Sequence, residues 1–495
     1  MSNTRKNVIA NYLGAGWSAA LSFITIPFLL SMLGAETYGL IALFFAIKAI
    51  ATVFDFGLAV TTNREVAFRL GCKDSSIGAL ITTVEILYWV ISIIISLIVW
   101  GLLRLFLVDW VSIEELTSDQ LVMMSLLFAV SLGISFPVVL YQNLLRSFNE
   151  HVAYNIALAL SATFRNPGAL LLLWAFSATI EVFMNWYLIA SVIEIMMYWM
   201  LVKGRIALVS DCSSGRFDYG SLSGMKRFAV GAGFSSIIAA IIFQVDKVFI
   251  SKFLNLESLG YYSAILALVG AFGKLTTPIV TAVFPRLAST YGSGDIGSVA
   301  NMYQRYAYMI NKLLVPLVVA LIAFAPQILE LWLPSNARTS DLYYVEIFLA
   351  IAYMFYSLAN MPIIILMVFK NVNVLVISRI VALVLLVPIL LFLIINYGLG
   401  GVAVGVLSCS VCLYMVLVVS VSRKIFIHHR MNELAMLVKP LLVSIPIFYL
   451  MQSSVVIWPD DNLAWIPLAV VGVIVSYLII FYSYLQNLQS RNSGA

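Results

Sequence analysis

Charge is scarce in this chain. Of its 495 residues only 10% are Asp, Glu, Lys or Arg, against roughly 25% in an average soluble domain. Histidine is scarcer: His151 and the adjacent His428 and His429 are the only three. No metal cluster and no catalytic triad can be assembled from them. No Walker A sequence occurs, which excludes an ATP-driven pump within this chain. Four cysteines are present: Cys72 and Cys212 in expected cytoplasmic loops, Cys409 and Cys412 inside an apolar helix. None faces outside, so no disulfide framework is expected. Cys409-Ser-Val-Cys412 has the spacing of a metal-ligand pair but lacks a second pair, and reads as buried thiols packed like small apolar residues. Neither a metal nor a cofactor is expected. There is no soluble basic domain to bind nucleic acid, and no long outer loop to house a transferase or polymerase site.

What fills the chain is hydrocarbon. Hydrophobic residues make up 62% of it, and the mean hydropathy is +1.03. The pattern divides into fourteen apolar runs at roughly 10–33, 38–60, 77–103, 120–140, 152–175, 180–202, 228–251, 258–284, 309–332, 342–369, 372–395, 398–421, 436–456 and 463–485. Each is near the ~20 residues that cross a ~30 Å hydrocarbon layer as a helix. The runs are continuous rather than alternating, which excludes barrel strands. The expected fold class is an all-α polytopic membrane protein of about fourteen helices. With the N-terminus inside, about twenty of the twenty-eight Lys and Arg fall in cytoplasmic segments, and about three (Arg104, Lys252 and Arg338) fall outside. This asymmetry predicts that both ends are cytoplasmic, with the first helix itself as the targeting segment. The net charge of +5 comes from the inner loops and suits contact with anionic lipid of the bilayer.

The chain also repeats itself. LGAETYGLIAL at 33–43 aligns with LNLESLGYYSA at 254–264, an offset of 221 that brings Glu36 to Glu257 and Gly39 to Gly260. Six spans separate the two copies, so both have the same orientation, a parallel repeat of the kind found in transporters. The expected organisation is a six-helix lobe at 1–205, a cytoplasmic linker at 206–227, a second six-helix lobe at 228–424 and two further helices at 425–495. Pro27, Pro137, Pro167, Pro278, Pro316, Pro362 and Pro388 fall at membrane depth, where each removes a backbone bond and kinks a helix.

Five cations, Lys48, Arg165, Lys247, Lys274 and Arg379, lie inside apolar runs. Ionisable groups at that depth are costly and face the protein interior or a water-filled cavity. Lys48 and Asp55 are seven residues apart, so on one continuous helix they differ by about 20° and share a face. Asp246 and Lys247 are adjacent and about 100° apart, so they cannot both point at one cavity centre. Lys247 can snorkel outward, leaving Asp246 for the interior or for a pair with Lys274 or Lys48. Arg165 precedes Asn166-Pro167-Gly168, which should open its helix and free carbonyls beside protein or water. Glu85 and Glu194 lie in the inner halves of their helices, either as protonatable coupling groups or as neutral core residues.

The segments NVIANYLGAGWSAALSFITIPFLLSMLGAETYGLIAL (7–43) and DFGLAVTTNREVA (55–67) resemble the Wzx-type polysaccharide flippases of the multidrug/oligosaccharidyl-lipid/polysaccharide exporter superfamily. FQVDKVFISKFLNLESLGYYS (243–263) and FPRLAS (284–289) continue the resemblance. The matching positions are Gly34, Tyr38, Gly39, Asp55, Gly57, Arg64, Asp246, Gly260, Tyr261, Pro285 and Arg286. The resemblance implies two lobes around a cavity in a bacterial inner membrane. It implies a cargo of undecaprenyl-diphosphate bearing an oligosaccharide such as an O-antigen unit, moved from inner to outer leaflet. Polysaccharide polymerase and chain-length proteins would be partners. Lys48, Asp55, Arg64, Arg165, Lys274 and Arg379 would then line the cavity, its cations neutralising the diphosphate, with Asp246, Asp55, Glu85 and Glu194 as candidate ion-coupling acids. The alternatives are a multidrug or cation antiporter of the same superfamily, a cell-wall or teichoic-type precursor flippase, and a membrane-embedded glycosyltransferase or polymerase.

Overall fold

The computed structural model describes residues 2–72, 76–111, 116–209, 237–334, 337, 340–424, 433–455 and 465–492. Most of the linker expected at 206–227 lies outside them, as do Cys212, Arg338, His428 and His429. The chain is an all-α polytopic membrane protein. Among the described residues there is no strand, and eleven helices are long and apolar enough to cross a membrane. Many of their apolar side chains point outward with no protein against them. On the helix Ile77–Trp110, Ile93, Leu97 and Ile98 are each more than half exposed, which is the surface a lipid-facing helix presents.

The chain forms two compact units, Met1–Ser263 and Ala264–Ala495. The first contains α1 (Ser2–Leu33), α2 (Ala35–Ala51), α3 (Leu58–Cys72), α4 (Ile77–Trp110), α5 (Ser118–Ser135), α6 (Val138–Ser147), α7 (His151–Ala175), α8 (Ile180–Val209) and α9 (Val245–Phe253). It also holds the start of α10 (Leu256–Val269). Within it α1 packs on α7, α4 and α7 flank α5 and α8, and α9 packs on α2. Tyr88, Tyr141, Leu144 and Tyr198 are fully buried in one apolar cluster that joins α4, α6 and α8. The second unit contains α11 (Ala271–Gly292), α12 (Ile296–Ala323), α13 (Ala325–Trp332), α14 (Ser340–Val368), α15 (Val372–Lys424), α16 (Glu433–Val455) and α17 (Trp465–Asn492). There α14 packs on α11, α12, α13 and α15, while α16 and α17 cover α12. Tyr477 on α17 donates its hydroxyl to the Leu313 carbonyl of α12 at 2.7 Å.

The structure interrupts several runs that read as single spans. The expected 38–60 run stops at Ala51 and continues as a 3₁₀ turn, Thr52–Asp55, before Phe56 and Gly57 take left-handed backbone at φ 49° and 74°. The 120–140 run breaks at Pro137, which has no N–H to continue the ladder and separates α5 from α6. The 228–251 run is helical at 237–242, turns at 243–244 and resumes as α9. α15 is two helices joined at Gly398, whose φ of 58° and ψ of −137° suit a residue without a Cβ. The pairing of Cys409 and Cys412 as buried thiols is corrected: Cys409 is buried but Cys412 is exposed, because three residues turn a helix by about 300° and need not share its packed face.

The two copies of the repeat touch. A Cβ built on Gly39 would overlap the Leu256 carbonyl oxygen, and one built on Gly260 would overlap the Ala35 carbonyl oxygen. The offset of 221 carries Ala35 to Leu256 and Gly39 to Gly260. The contact is therefore reciprocal, and each copy presents the same carbonyl to the other's glycine.

Candidate functional site

In the first unit two of the membrane-depth cations, Lys48 and Arg165, converge on a tyrosine. Lys48 sits in the last turn of α2, where its Nζ donates to Tyr187 Oη of α8 at 2.7 Å. The same ammonium lies 5.2 Å from the centroid of the Tyr187 ring. Arg165 of α7 places its guanidinium carbon 5.1 Å from that centroid and pairs through Nη2 with Glu194 Oε2 of α8. Tyr187 and Glu194 are seven residues apart, so α8 shows both on one face. A ring with two cations near it and a hydroxyl accepting from one of them spreads positive charge across a small patch. Phe183 stacks on Tyr187 with centroids 6.3 Å apart, and Phe45 meets it tilted at 5.4 Å, which holds the ring in place. The group contains two cations and one acid, for a net charge of +1. It is only partly closed off: the Arg165 side chain is 28% exposed and that of Glu194 10%.

The sequence around Arg165 supports this position without opening the helix. α7 runs unbroken past Pro167. Trp186 of α8 donates its indole N–H to the Phe164 carbonyl at 2.9 Å, meeting one acceptor near the proline. Gly168 makes room for it, since a Cβ there would come within 2.6 Å of the indole. The expected opened helix is thus corrected to a continuous one with a side-chain donor beside the proline. Arg165 Nε remains buried without a hydrogen-bond partner.

Asp55 does not extend the Lys48 face. The helix that would carry both ends at Ala51, so the seven-residue rule no longer applies across the break. The Asp55 carboxyl instead accepts from the Gly57 and Ala59 backbone N–H groups at 2.8 and 3.4 Å and from Tyr88 Oη at 3.1 Å. It caps the start of α3. Glu85 accepts from Tyr141 Oη at 2.6 Å and pairs with Lys203 at 3.3 Å. Asp246 is buried, accepts from Tyr262 Oη at 2.6 Å and from the Lys247 backbone N–H at 2.8 Å, and pairs with the Lys247 ammonium at 3.4 Å. This corrects the expectation of separate roles for the two neighbours. Asp246 stands in the first turn of α9, where backbone N–H groups lack helical acceptors. The Lys247 stem folds back so that its ammonium donates to the Phe243 carbonyl at 2.8 Å. Arg64 is exposed on α3. In the second unit Lys274 is exposed on α11 and Arg379 half-buried on α15. Tyr187 is the member that sequence reasoning missed, although its seven-residue spacing from Glu194 was there to be read.

Comparison with known proteins follows the same lines. The family described as polysaccharide biosynthesis protein matches residues 4–291. A Shigella flexneri protein named for O-antigen transport is 22% identical over 409 residues, covering 81% of this chain and 93% of its own. Among solved structures, that of the lipid II flippase MurJ in an inward closed conformation superposes with a TM-score of 0.74 at 15% identity, covering 97% of this chain and 99% of its own. An inward-facing multidrug resistance MATE family transporter of the MOP superfamily gives a TM-score of 0.67 at 18% identity, with 83% and 95% covered. The fold is shared with both.

Proposed function

Because the chain belongs to the polysaccharide biosynthesis protein family, we propose that it is a flippase for lipid-linked oligosaccharide rather than an enzyme. Its cargo is undecaprenyl-diphosphate carrying a polysaccharide repeat unit such as an O-antigen unit, carried from the inner to the outer leaflet of the cytoplasmic membrane by alternating access. The observation that carries the reading is the Lys48–Tyr187–Arg165–Glu194 group. A diphosphate needs positive charge at membrane depth to replace its hydration, and a net +1 patch supplies it. Lys48 holds only a neutral hydroxyl at short range, so an incoming phosphate oxygen can take its place. Arg165 is held by Glu194, so cargo must displace that carboxylate. The exchange keeps Arg165 paired both when the carrier is empty and when it is loaded. A cation antiporter would want the opposite sign at this position.

The lobes at 1–205 and 228–424, with two added helices at 425–495, are the moving parts in this reading, and both termini are cytoplasmic. Lys274 and Arg379 are cations of the second lobe. A polysaccharide polymerase and chain-length proteins stand downstream as partners. The test is reconstitution. Purified protein in sealed vesicles should speed the transfer of fluorescent undecaprenyl-diphosphate oligosaccharide between leaflets, read as loss of quenching from one side. A rate equal to that of protein-free vesicles would refute the reading.

A further inference from the structure

Glu346 is the most thoroughly buried acid among the described residues, 0% exposed on α14 in the second unit. Neither of its carboxyl oxygens has a hydrogen-bond partner. The helices packed on α14 do carry charges: Lys274 and Arg286 on α11, Arg305 and Lys312 on α12, Glu330 on α13, Arg379 and Arg423 on α15. None of these groups forms a hydrogen bond or an ion pair with the Glu346 carboxyl. The α13 helix packed on α14 holds both a buried acceptor, Gln327 Oε1, and a buried donor, Trp332 Nε1, neither of which makes a hydrogen bond. An ionised carboxylate in such a place would cost far more than one buried pair can offset. A fully buried carboxyl with no donor and no ion pair calls for a proton of its own rather than a bare negative charge.

We propose that Glu346 is a proton-binding site of the second unit, filled in the conformation described and emptied when that unit rearranges. Glu346 lies six residues into α14, about 9 Å along the helix from its start. The charge asymmetry puts that start at the outer face, so the proton would leave to and return from the outer side. Loss of the O–H proton to water makes Glu346 a carboxylate, which must then find solvent or a cation. Protonation is therefore tied to closure of the unit around it. This makes Glu346 a coupling residue for the flippase reading above, on which the coupling role rests but the proton site does not.

The experiment separates the two. Infrared spectra of purified protein in lipid nanodiscs near neutral pH should show a neutral carboxylic C=O band that is absent in Glu346→Gln. The variant mimics the neutral acid and should fold as well as the parent, read as an unchanged melting temperature. Absence of a band difference would overturn the proposal, because the carboxyl would then be ionised. Loss of the band on adding sodium at constant pH would also overturn it, in favour of a metal cation. In vesicles, Glu346→Gln should flip cargo at a rate that no longer responds to an imposed pH gradient. A response equal to that of the parent would overturn the coupling role. If neither protein moves cargo, the flippase reading fails while the infrared band still decides the proton site.

Discussion

Lys48 and Arg165 stand over the same Tyr187 ring, 5.2 and 5.1 Å from its centroid, yet only Arg165 has an acid, Glu194, to pair with. The two cations are therefore unequal, and their substitutions should fail differently.

Arg165→Ala leaves Glu194 without its pair. The expected loss is about 1–3 kcal/mol, low in the range for broken ion pairs because both groups keep some exposure. Thermal unfolding in detergent measures it. The double variant Arg165→Gln, Glu194→Gln should recover most of that stability and none of the transport. If the double variant transports, charge at this site is not needed for the cargo.

Lys48→Ala should unfold near the parent temperature, since it removes a cation that no acid balances, but should abolish export. Tyr187→Phe keeps the ring and loses the hydroxyl. It should cost about 1.5–3 kcal/mol of hydrogen bonding to a charged group if nothing replaces it, and should slow flipping without stopping it. Arg165→Lys keeps a point charge without the planar fork, and full activity there would show that bidentate phosphate binding is not required.

The four acids expected to couple ion flow differ in what holds them. Asp55, Glu85 and Asp246 are each fixed by a tyrosine hydroxyl, and each also by backbone N–H groups or a lysine. Glu194 alone pairs with a cation that cargo would claim. Glu194→Gln should therefore flatten the response of flipping to an imposed gradient, while Asp55→Asn, Glu85→Gln and Asp246→Asn should mainly lower the melting temperature. Unchanged gradient dependence in all four would remove them from coupling.

Reporter fusions after Ser340 and Asn462 should report the outside, and one after Ser214 the inside. A cytoplasmic signal at Ser340 would reverse the topology read from the lysines and arginines.

The long apolar runs were legible because a helix in hydrocarbon must satisfy its own backbone and shows it as unbroken hydrophobicity. The breaks were less so. Composition around Ala51 does not announce that a 3₁₀ turn replaces the helix there, so Asp55 was placed on a face that no longer exists. Tyr187 carries no charge to mark it among the apolar residues of α8, although its ring and hydroxyl are what bring Lys48 and Arg165 together. Nothing in the sequence sets Glu346 apart; only the packing of α14 reveals that it is buried. The repeat, by contrast, was visible in a few residues because a glycine that meets a backbone cannot be replaced freely.

That contact can be measured. Gly39→Ala and Gly260→Ala each force a methyl against a carbonyl oxygen and should each cost about 1–3 kcal/mol as overpacking. Gly16, with nothing within 4 Å of a built Cβ, is the control. Gly16→Ala should be neutral or up to about 1 kcal/mol stabilising in a helix.

The reciprocity of Gly39 and Gly260 bears on what either copy of the repeat can tolerate. Two copies of a duplicated segment can drift apart wherever each packs only within itself. Where copy meets copy, a change in one is felt by the other, and neither glycine can be relieved by trimming its neighbour, because what it meets is main chain. The short turn where the two copies meet is thus the place where either copy tolerates substitution least.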